Sequence, residues 1–307
     1  MDVIVPVHGN WPITRVCLSS LAAQTLDHHV ILIDDASPDD TRTRVAEEFP
    51  EVEVIALDRN RGFAAACNHG FRAATAAIVV LVNNDVVAGP TMLEKLIAPF
   101  DDARVGSSSP VLLRPDGRID AFGICADVTL AGFQRLHGAL DTPDPTPRSR
   151  LLGPYGAVAA YRASAVAGVG LLDEGIFMYG EELDLALRLS AAGWVPAAAP
   201  EARGVHLGGA TTGRGSRVQR QRSGFGRGYL LRAYGVLAGR HAARALLTEL
   251  VVSAGDAVLS RDFAAFLGRV EGWRAGKTAT SRSRRIPDVD GTIGFVASLR
   301  LRVGSRS

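Results

Sequence analysis

Short β-branched runs separated by helical repeats fill the first hundred residues. VIVPV (Val3–Val7), HVILID (His29–Asp34), VEVIAL (Val52–Leu57) and AIVVLVN (Ala77–Asn83) are bounded by polar, Gly or Pro residues and read as strands. Between them, ITRVCLSSLAAQ begins behind Pro12, DDTRTRVAEEF behind Ser37 and Pro38, and GFAAACNHGFRAA behind Asn60, while PTMLEKLIAPF follows Asp85. Their apolar residues recur at helical spacing, and Pro or a capping residue suits their first turns. Strands that alternate with helices predict an α/β fold, a doubly wound and mostly parallel sheet with helices on both faces. Ligands of such sheets sit beyond the carboxyl ends of the strands. Those ends carry His8, Asp34, Asp35, Asn84 and Asp85.

From Val105 to about Tyr161 the rhythm changes. SPVLL and GAVAAY surround the Pro-rich DTPDPTPRSR, and no helical repeat stands out. This pattern predicts an added mixed-sheet region that carries part of a binding site. A helix in FMYGEELDLALRL follows, then WVPAAAP and GVHLGGATTG. Residues from Arg217 to about Gly272 read as helices, and those after Lys277 as a partly disordered tail.

A chain of 307 residues, 47% hydrophobic, has room for one large or two modest domains. No run approaches the ~18 apolar residues of a membrane span. The start, MDVIVPVHGN, lacks the basic region and long apolar stretch of a signal peptide, so a cytoplasmic location is expected. Cys17, Cys67 and Cys125 are odd in number and show no metal-like spacing, which suits small core side chains in a reducing compartment. The net charge of +2 hides an asymmetry: from Arg214 onward basic residues exceed acidic ones by about a dozen, leaving the front acidic. An anionic membrane surface, met peripherally at its inner face, or an anionic substrate suits that basic part. Nucleic acid is not expected, because neither aromatic–basic interleaving nor zinc-finger spacing accompanies the charge.

The stretch FMYGEELDLALRL places Glu181, Glu182 and Asp184 within one helical turn. Carboxylates there favour the helix dipole, and Asp184 with Arg188 makes an i,i+4 pair of the kind found on surfaces. On a wheel of about 100° per residue, Glu181, Asp184 and Arg188 share a polar arc, whereas Glu182 falls among the leucines. An unpaired charge aimed at a core costs several kcal/mol. Glu182 therefore needs a cleft, a partner or a chemical role.

In VLVNNDVV a hydrophobic strand ends in Asn83, Asn84 and Asp85, and Asp34 and Asp35 end a neighbouring strand. His206 precedes a Gly/Thr-rich stretch. Asp plus His with open positions holds Mg²⁺ or Mn²⁺ when a ligand's phosphates supply further oxygens. A carboxylate at a strand end also serves as a cap, and a lone His is more often structural. Tyr179 and Trp194 offer sugar-stacking faces, though core or pocket wall is the commoner use of such rings.

These motifs, taken in order, resemble a known family. VIVPVHG, LIDDASPDDT, NRGFAAACNHG, VLVNNDVV, LLDEGIFMYGEELDLALRLSAAGW and VHLGGATTG follow the order seen in family 2 inverting glycosyltransferases of GT-A fold, over roughly residues 1–213. NNDV and NRGF look most like the rhamnosyltransferase branch, which includes enzymes acting on polyprenyl-linked cell-envelope precursors. The resemblance implies a nucleotide-binding half at 1–104 and an acceptor and catalytic half at 105–213. A C-terminal helical region at 214–276 and the basic tail at 277–307 follow.

Roles follow from the same resemblance. Pro6 and Val7 line the nucleotide pocket through their backbone, and Asp35 reads the base. Asn60, Gly62 and Asn68 close over the nucleoside. Asp85 is the metal-binding carboxylate, with Asn83 and Asn84 in place of the motif's other acidic positions, and His206 is a later metal ligand. Glu182 is the general base, standing where the family carries Asp, with Glu181 as its alternate. The implied reaction moves a sugar, L-rhamnose by the branch likeness, from a dTDP- or UDP-sugar to a hydroxyl of a glycan, a lipid-linked precursor or a small molecule. Two other readings remain: a sugar-nucleotide-binding relative with weak or no catalysis, and a hexosyltransferase using a UDP-sugar. A dinucleotide oxidoreductase is disfavoured, because PVHGNWP after the first strand is not a G-x-G-x-x-G turn.

Overall fold

The computed structural model describes every residue except 143, 144, 146, 209–214, 281 and 305–307. The first half runs β1 (Asp2–Val7), α1 (Trp11–Ala22), β2 (His29–Asp34), α2 (Thr41–Glu48), β3 (Glu53–Ala56), α3 (Phe63–Ala73), β4 (Ile78–Val82), β5 (Val86–Ala88) and α4 (Met92–Ile97). Then come β6 (Val105–Leu113), β7 (Ile119–Ala121), β8 (Ile124–Ala126), β9 (Gly132–Gln134), β10 (Val158–Arg162), α5 (Ala163–Val169), α6 (Glu181–Ala191) and β11 (Val195–His206). The chain ends in α7 (Arg217–Ala233), α8 (Ala242–Ser260), α9 (Ala264–Ala275) and α10 (Phe295–Gly304).

The main sheet has the order β3-β2-β1-β4-β10-β6-β11-β5, with β7 beside β6. Strands β3, β2, β1 and β4 are parallel, as the alternating sequence predicts. Beyond β4 the sheet is mixed: β10 runs antiparallel to β4 and β6, and β11 is parallel to β6 but antiparallel to β5. The strand order turns back at β1, where the connections to β2 and β4 lead to opposite sides. A crevice opens at the carboxyl ends there.

Strand β1 is buried throughout, and its side chains alternate between two cores. Val3, Val5 and Val7 pack under Leu18 and Leu21 of α1, while Ile4 packs with Ile31, Ile33 and Cys67 on the other face. Helix α3 lies close on β1 because Gly70 carries no side chain; a Cβ there would sit 2.4 Å from a methyl of Ile4. All three cysteines are buried and unpaired, as core side chains.

The segment after Lys277, expected to be partly disordered, folds back in its described residues over α6 and the chain around Arg150. Arg282 pairs with Asp184 at 3.1 Å, Ser190 donates to Asp288 at 2.7 Å, and Asp290 accepts from the backbone of Arg150 at 2.9 Å. Polar side chains evenly spread along a segment look loose in sequence, but here each meets a partner from the preceding domain. Among the described residues, no helix is long and apolar enough to cross a membrane.

Candidate active site

A cleft of about 1000 Å³ opens at the carboxyl ends of β1, β2 and β4. Pro6 and Val7, the last residues of β1, form its floor, and His8 follows them. Asp35, just past β2, accepts hydrogen bonds from the backbone N–H of Arg61 at 2.6 Å and of Gly62 at 2.9 Å. It thereby ties the loop carrying Asn60 to the sheet edge, and Asn60 itself accepts from Gly62 N–H at 3.1 Å. Burial pushes the Asp35 carboxyl up, against the pull of those two N–H groups. Gly62 has φ of +87°, and a Cβ there would lie 2.6 Å from Phe177, so the turn needs glycine on both counts.

At the end of β4, Asn84 donates to Thr14 Oγ1 of α1 at 2.9 Å, and the buried Asn83 Oδ1 has no hydrogen-bond partner. Both asparagines line the cleft. Asp85 meets His206 through strand pairing. Strand β5 runs antiparallel to β11 with Val86 opposite His206, and the backbone N–H of Leu207 donates to Asp85 O at 2.9 Å. His206 Nε2 then lies 3.4 Å from Asp85 Oδ1, which has no hydrogen-bond partner. On the other side of the ring, Nδ1 bonds Asp120 Oδ2 of β7 at 2.7 Å. Burial alone would lower the His206 pKa, but the hydrogen bond to Asp120 and the nearby Asp85 and Asp120 carboxylates raise it to about 9.

This donor set fits a divalent cation as a partial site. An unpartnered buried carboxylate oxygen faces an imidazole nitrogen, and a second carboxylate orients that ring from behind, as is usual for metal-binding histidine. Among the described residues, no group of three or more His, Cys, Asp or Glu is arranged to hold a metal unaided. Further oxygens would have to come from a bound ligand or solvent. The Gly/Thr-rich stretch after His206 lies largely outside the described residues.

Opposite this pair, the turn before α6 delivers the two glutamates. Tyr179 and Gly180 both have positive φ, 69° and 115°. This sharp reversal points Glu181 and Glu182 into the cleft from the first turn of the helix. Glu182 Oε2 accepts from the Gly180 N–H at 3.1 Å. Glu181 is only 5% exposed and its Oε2 has no partner. Burial, then the neighbouring Glu182 charge, holds Glu181 well above the usual carboxylate range, and burial raises Glu182 as well. Neighbouring carboxyls this close influence each other's titration.

Several expectations need correction. The pair Asp184–Arg188, expected at the surface, is buried: Asp184 is fully inaccessible and receives Arg188 at 2.7 Å, Arg282 at 3.1 Å and the Tyr234 hydroxyl at 3.0 Å. The C-terminal helices and tail cover the helix face that looked like a solvent face. Glu181 is buried with it. Asn68 lies outside the cleft walls. Its amide donates to Leu172 O and Glu174 Oε1 and accepts from Leu172 N–H, all within 2.9–3.0 Å, so it locks that loop rather than facing a nucleoside. Asp34 is used locally, accepting from Ser37 N–H at 2.9 Å. Tyr179 is a cleft wall, whereas Trp194 packs in the core against Gly106.

The sequence reading missed Asp120, His137, Tyr155 and Arg222, all of which line the cleft. Asp120 sits in IDA, a charged residue inside a short buried strand, and that mismatch was the available signal. His137 Nδ1 meets Asp120 O at 2.7 Å, and the Tyr155 ring packs edge-on to His206 with centroids 6.0 Å apart. Arg222 of α7 lies over the Phe177 ring, 4.5 Å from its centroid.

Residues 2–137 match the family model described as glycosyl transferase family 2. The chain is 29% identical over 239 residues to the N-acetylglucosaminyl-diphospho-decaprenol L-rhamnosyltransferase of Mycobacterium tuberculosis, covering 70% of this chain and 78% of that one. Among solved structures it resembles the mannosyltransferase PcManGT of Pyrobaculum calidifontis in complex with GDP-Man and Mn²⁺. The TM-score is 0.54 at 19% identity, over 90% of this chain and 85% of that one. It also resembles GalNAc-T7 with UDP, GalNAc and Mn²⁺, with a TM-score of 0.58 at 16% identity, over 81% of this chain and 53% of that one. Likeness at this identity speaks for the fold alone, which is GT-A.

Proposed function

Because the chain carries a family 2 glycosyltransferase domain on a GT-A fold, we propose that it is an inverting transferase. In this reading it moves a sugar from a pyrimidine nucleoside diphosphate to an acceptor hydroxyl. The observation that carries this is the meeting, in one cleft, of the Asp85–His206 pair at the end of β4 and the Glu181–Glu182 pair at the start of α6. An acceptor hydroxyl must lose its proton as it attacks the anomeric carbon, and a positioned carboxylate contributes roughly 10²–10⁴-fold to such a step. Glu182 takes that proton. Its raised pKa brings it nearer to a useful basicity, and the Gly180 N–H fixes one of its oxygens. Asp85 and His206 would hold Mg²⁺ or Mn²⁺, which would offset the charge developing on the departing diphosphate. Attack by the hydroxyl that Glu182 deprotonates, with the diphosphate leaving from the opposite face, would invert the anomeric centre.

Pro6, Val7, Asn60, Gly62 and Asn84 frame the nucleoside, and Asp35 reads the base. Asp35 already accepts two backbone N–H groups, and an ionised carboxylate has lone pairs for one more donor. Uracil and thymine present an N3–H; cytosine presents a bare acceptor there and is repelled. dTDP and UDP are the expected donors' nucleotides, with dTDP-L-rhamnose favoured by the relative from Mycobacterium tuberculosis. The same relative favours a lipid-linked acceptor, handled by a cytoplasmic protein in peripheral contact with an anionic membrane. Calorimetry with Mn²⁺ and dTDP, UDP and CDP tests the site. Both uridine- and thymidine-type diphosphates should bind, CDP much more weakly, and Asp85→Ala or excess chelator should weaken all binding. Equal affinity for CDP removes Asp35 from base reading. Metal-dependent binding of nucleotide sugars without any turnover would make the chain a binding relative instead.

A further inference from the structure

Helix α8 is built inside out. Leu246, Leu247, Leu250, Val251, Val258 and Leu259 face outward with exposures from 44% to 77%. No exposed residue between Ala242 and Leu259 is polar or charged. Its buried positions are instead Ala245, Thr248, Glu249, Ser253 and Asp256. Glu249 is gripped by Arg227 of α7 at 2.8 Å and by Arg269 of α9 and Arg302 of α10, each at 2.9 Å. Asp256 faces Arg220 of α7 at 3.6 Å. The outward apolar surface continues onto α9 through Phe263, Phe266 and Leu267, exposed by 47–66%, and onto α10 through Val296.

The helices under this surface are joined by unusually close backbone approach, beside an apolar cluster that includes Phe225, Tyr229 and Trp273. Helix α7 carries Gly224 and Gly228, and α9 carries Gly268 and Gly272, both at the G-x-x-x-G spacing. A Cβ on Gly228 would lie 2.0 Å from Arg269 O, and one on Gly272 1.9 Å from Phe225 O. Small-residue contacts and internal polar pairs are how helices associate when apolar burial between them is not the driving force. In water this arrangement is unfavourable twice over, since it desolvates charges and hydrates leucines. It becomes favourable when the outer face meets hydrocarbon.

We propose that the outward face of α8 and α9, extended by α10, seats this protein on an anionic bilayer, lying in the interface without crossing it. Charge selects the bilayer over a second copy of the chain. Residues 214–307 carry 18 Lys and Arg against 6 Asp and Glu, and Arg261, Arg274 and Arg300 are exposed on the turn and helices that bear the face. Two such faces repel each other, whereas acidic headgroups attract them. The α8 part of the face, without exposed hydrogen-bonding side chains, also ill suits a protein partner, whose interface carries about one hydrogen bond per 100–200 Å². Val252 and Leu259 line the same cleft as Asp85 and Glu182, so the seated protein opens its site at headgroup level. A lipid-linked acceptor would use that placement, and this last step rests on the function proposed above.

Flotation of the full chain with phosphatidylcholine vesicles, with and without phosphatidylglycerol, tests the seating. The protein should float with the phosphatidylglycerol vesicles at low salt and less at high salt, by about fivefold for each basic residue in contact. Leu250→Glu and Val258→Glu should each weaken partitioning by about tenfold or more, with thermal unfolding and nucleotide diphosphate binding in lipid-free buffer unchanged. Wild-type protein left in the pellet with anionic vesicles at low salt overturns the proposal, as do variants that float like wild type. A dimer in sedimentation that Leu250→Glu dissociates, without vesicle binding, would assign the face to a second copy. Flotation reads the surface and donor turnover in lipid-free buffer reads the chemistry, so the two proposals fail separately.

Discussion

In the sheet half, Val3, Val5 and Val7 are buried beneath α1, and the cleft carboxylates stand at strand ends and at the start of α6. In the helical extension the polarity is reversed: Glu249 and Asp256 of α8 point inward and Leu250 and Val258 point out. In both halves polar and apolar positions segregate along the helices. The difference lies in what faces the outside, and it teaches that amphipathic order alone does not identify the solvent. Sheet-half carboxylates such as Glu181 and Asp85 Oδ1 are left with unpartnered oxygens, which suits groups that act on a ligand. Glu249 is saturated by three arginines, which suits a group that only holds helices together.

The largest effect should come from breaking that saturation. Glu249→Ala leaves Arg227, Arg269 and Arg302 buried without their shared counter-charge and should cost about 3–5 kcal/mol in urea unfolding. A loss near zero would show that water reaches the cluster and that the helical extension is not a closed polar core.

Next is Glu182, the carboxylate proposed as the base. Glu182→Gln keeps the shape and the Gly180 contact but cannot take a proton. Turnover should drop by about 10²-fold or more, with donor affinity little changed. Near-normal turnover would shift the role to Glu181.

A smaller loss is expected from Asp120→Asn. Asp120 bonds His206 Nδ1, the ring nitrogen on the side away from Asp85, and so fixes the ring. Removing its charge should weaken Mn²⁺ binding by about 10–100-fold, read by calorimetry, while folding is retained. Unchanged Mn²⁺ affinity would mean that His206 is not a ligand, since its orientation would then not matter.

The smallest effect concerns pH. Glu181 is held above its ordinary carboxyl value, first by burial and then by Glu182. A group whose pKa is raised on folding favours the fold when protonated. Its contribution is full below the unfolded-state pKa and is lost as pH rises through the folded value. Glu181→Gln removes this loss, so the variant should gain stability relative to wild type as pH rises above the usual carboxylate range. Urea unfolding of both proteins across that pH range checks this, and pH profiles that run parallel would mean that Glu181 does not change its protonation on folding.

Much of the fold is legible in the sequence. The alternation of β-branched runs with helical repeats placed β1 to β4 and their helices, because short-range periodicity is set by the chain itself. The strand ends announced Asp35, Asn84 and Asp85, and the wheel singled out Glu182. Asp120 was not found, since its partner His206 is distant in sequence and only the β6–β7 and β6–β11 registers bring them together. Asn68 looked like a cleft residue because it lies in the helix that follows Gly62, yet it is turned onto the loop at Leu172.

Two helices mark where local pattern stops. The wheel of α6 separates a polar arc from an apolar one, and the natural reading puts Asp184 and Arg188 in water. Tyr234 and Arg282, from parts of the chain with no local link to α6, bury that arc instead. In α8 the wheel again yields two faces, and it carries no sign. Whether Glu249 or Leu250 turns inward depends on arginines supplied by α7, α9 and α10, gathered only when those helices pack. The sequence by itself determined the period and composition of each face, because these depend on neighbours three or four residues away. Which face became interior was decided by tertiary structure, because burial is a property of what else arrives.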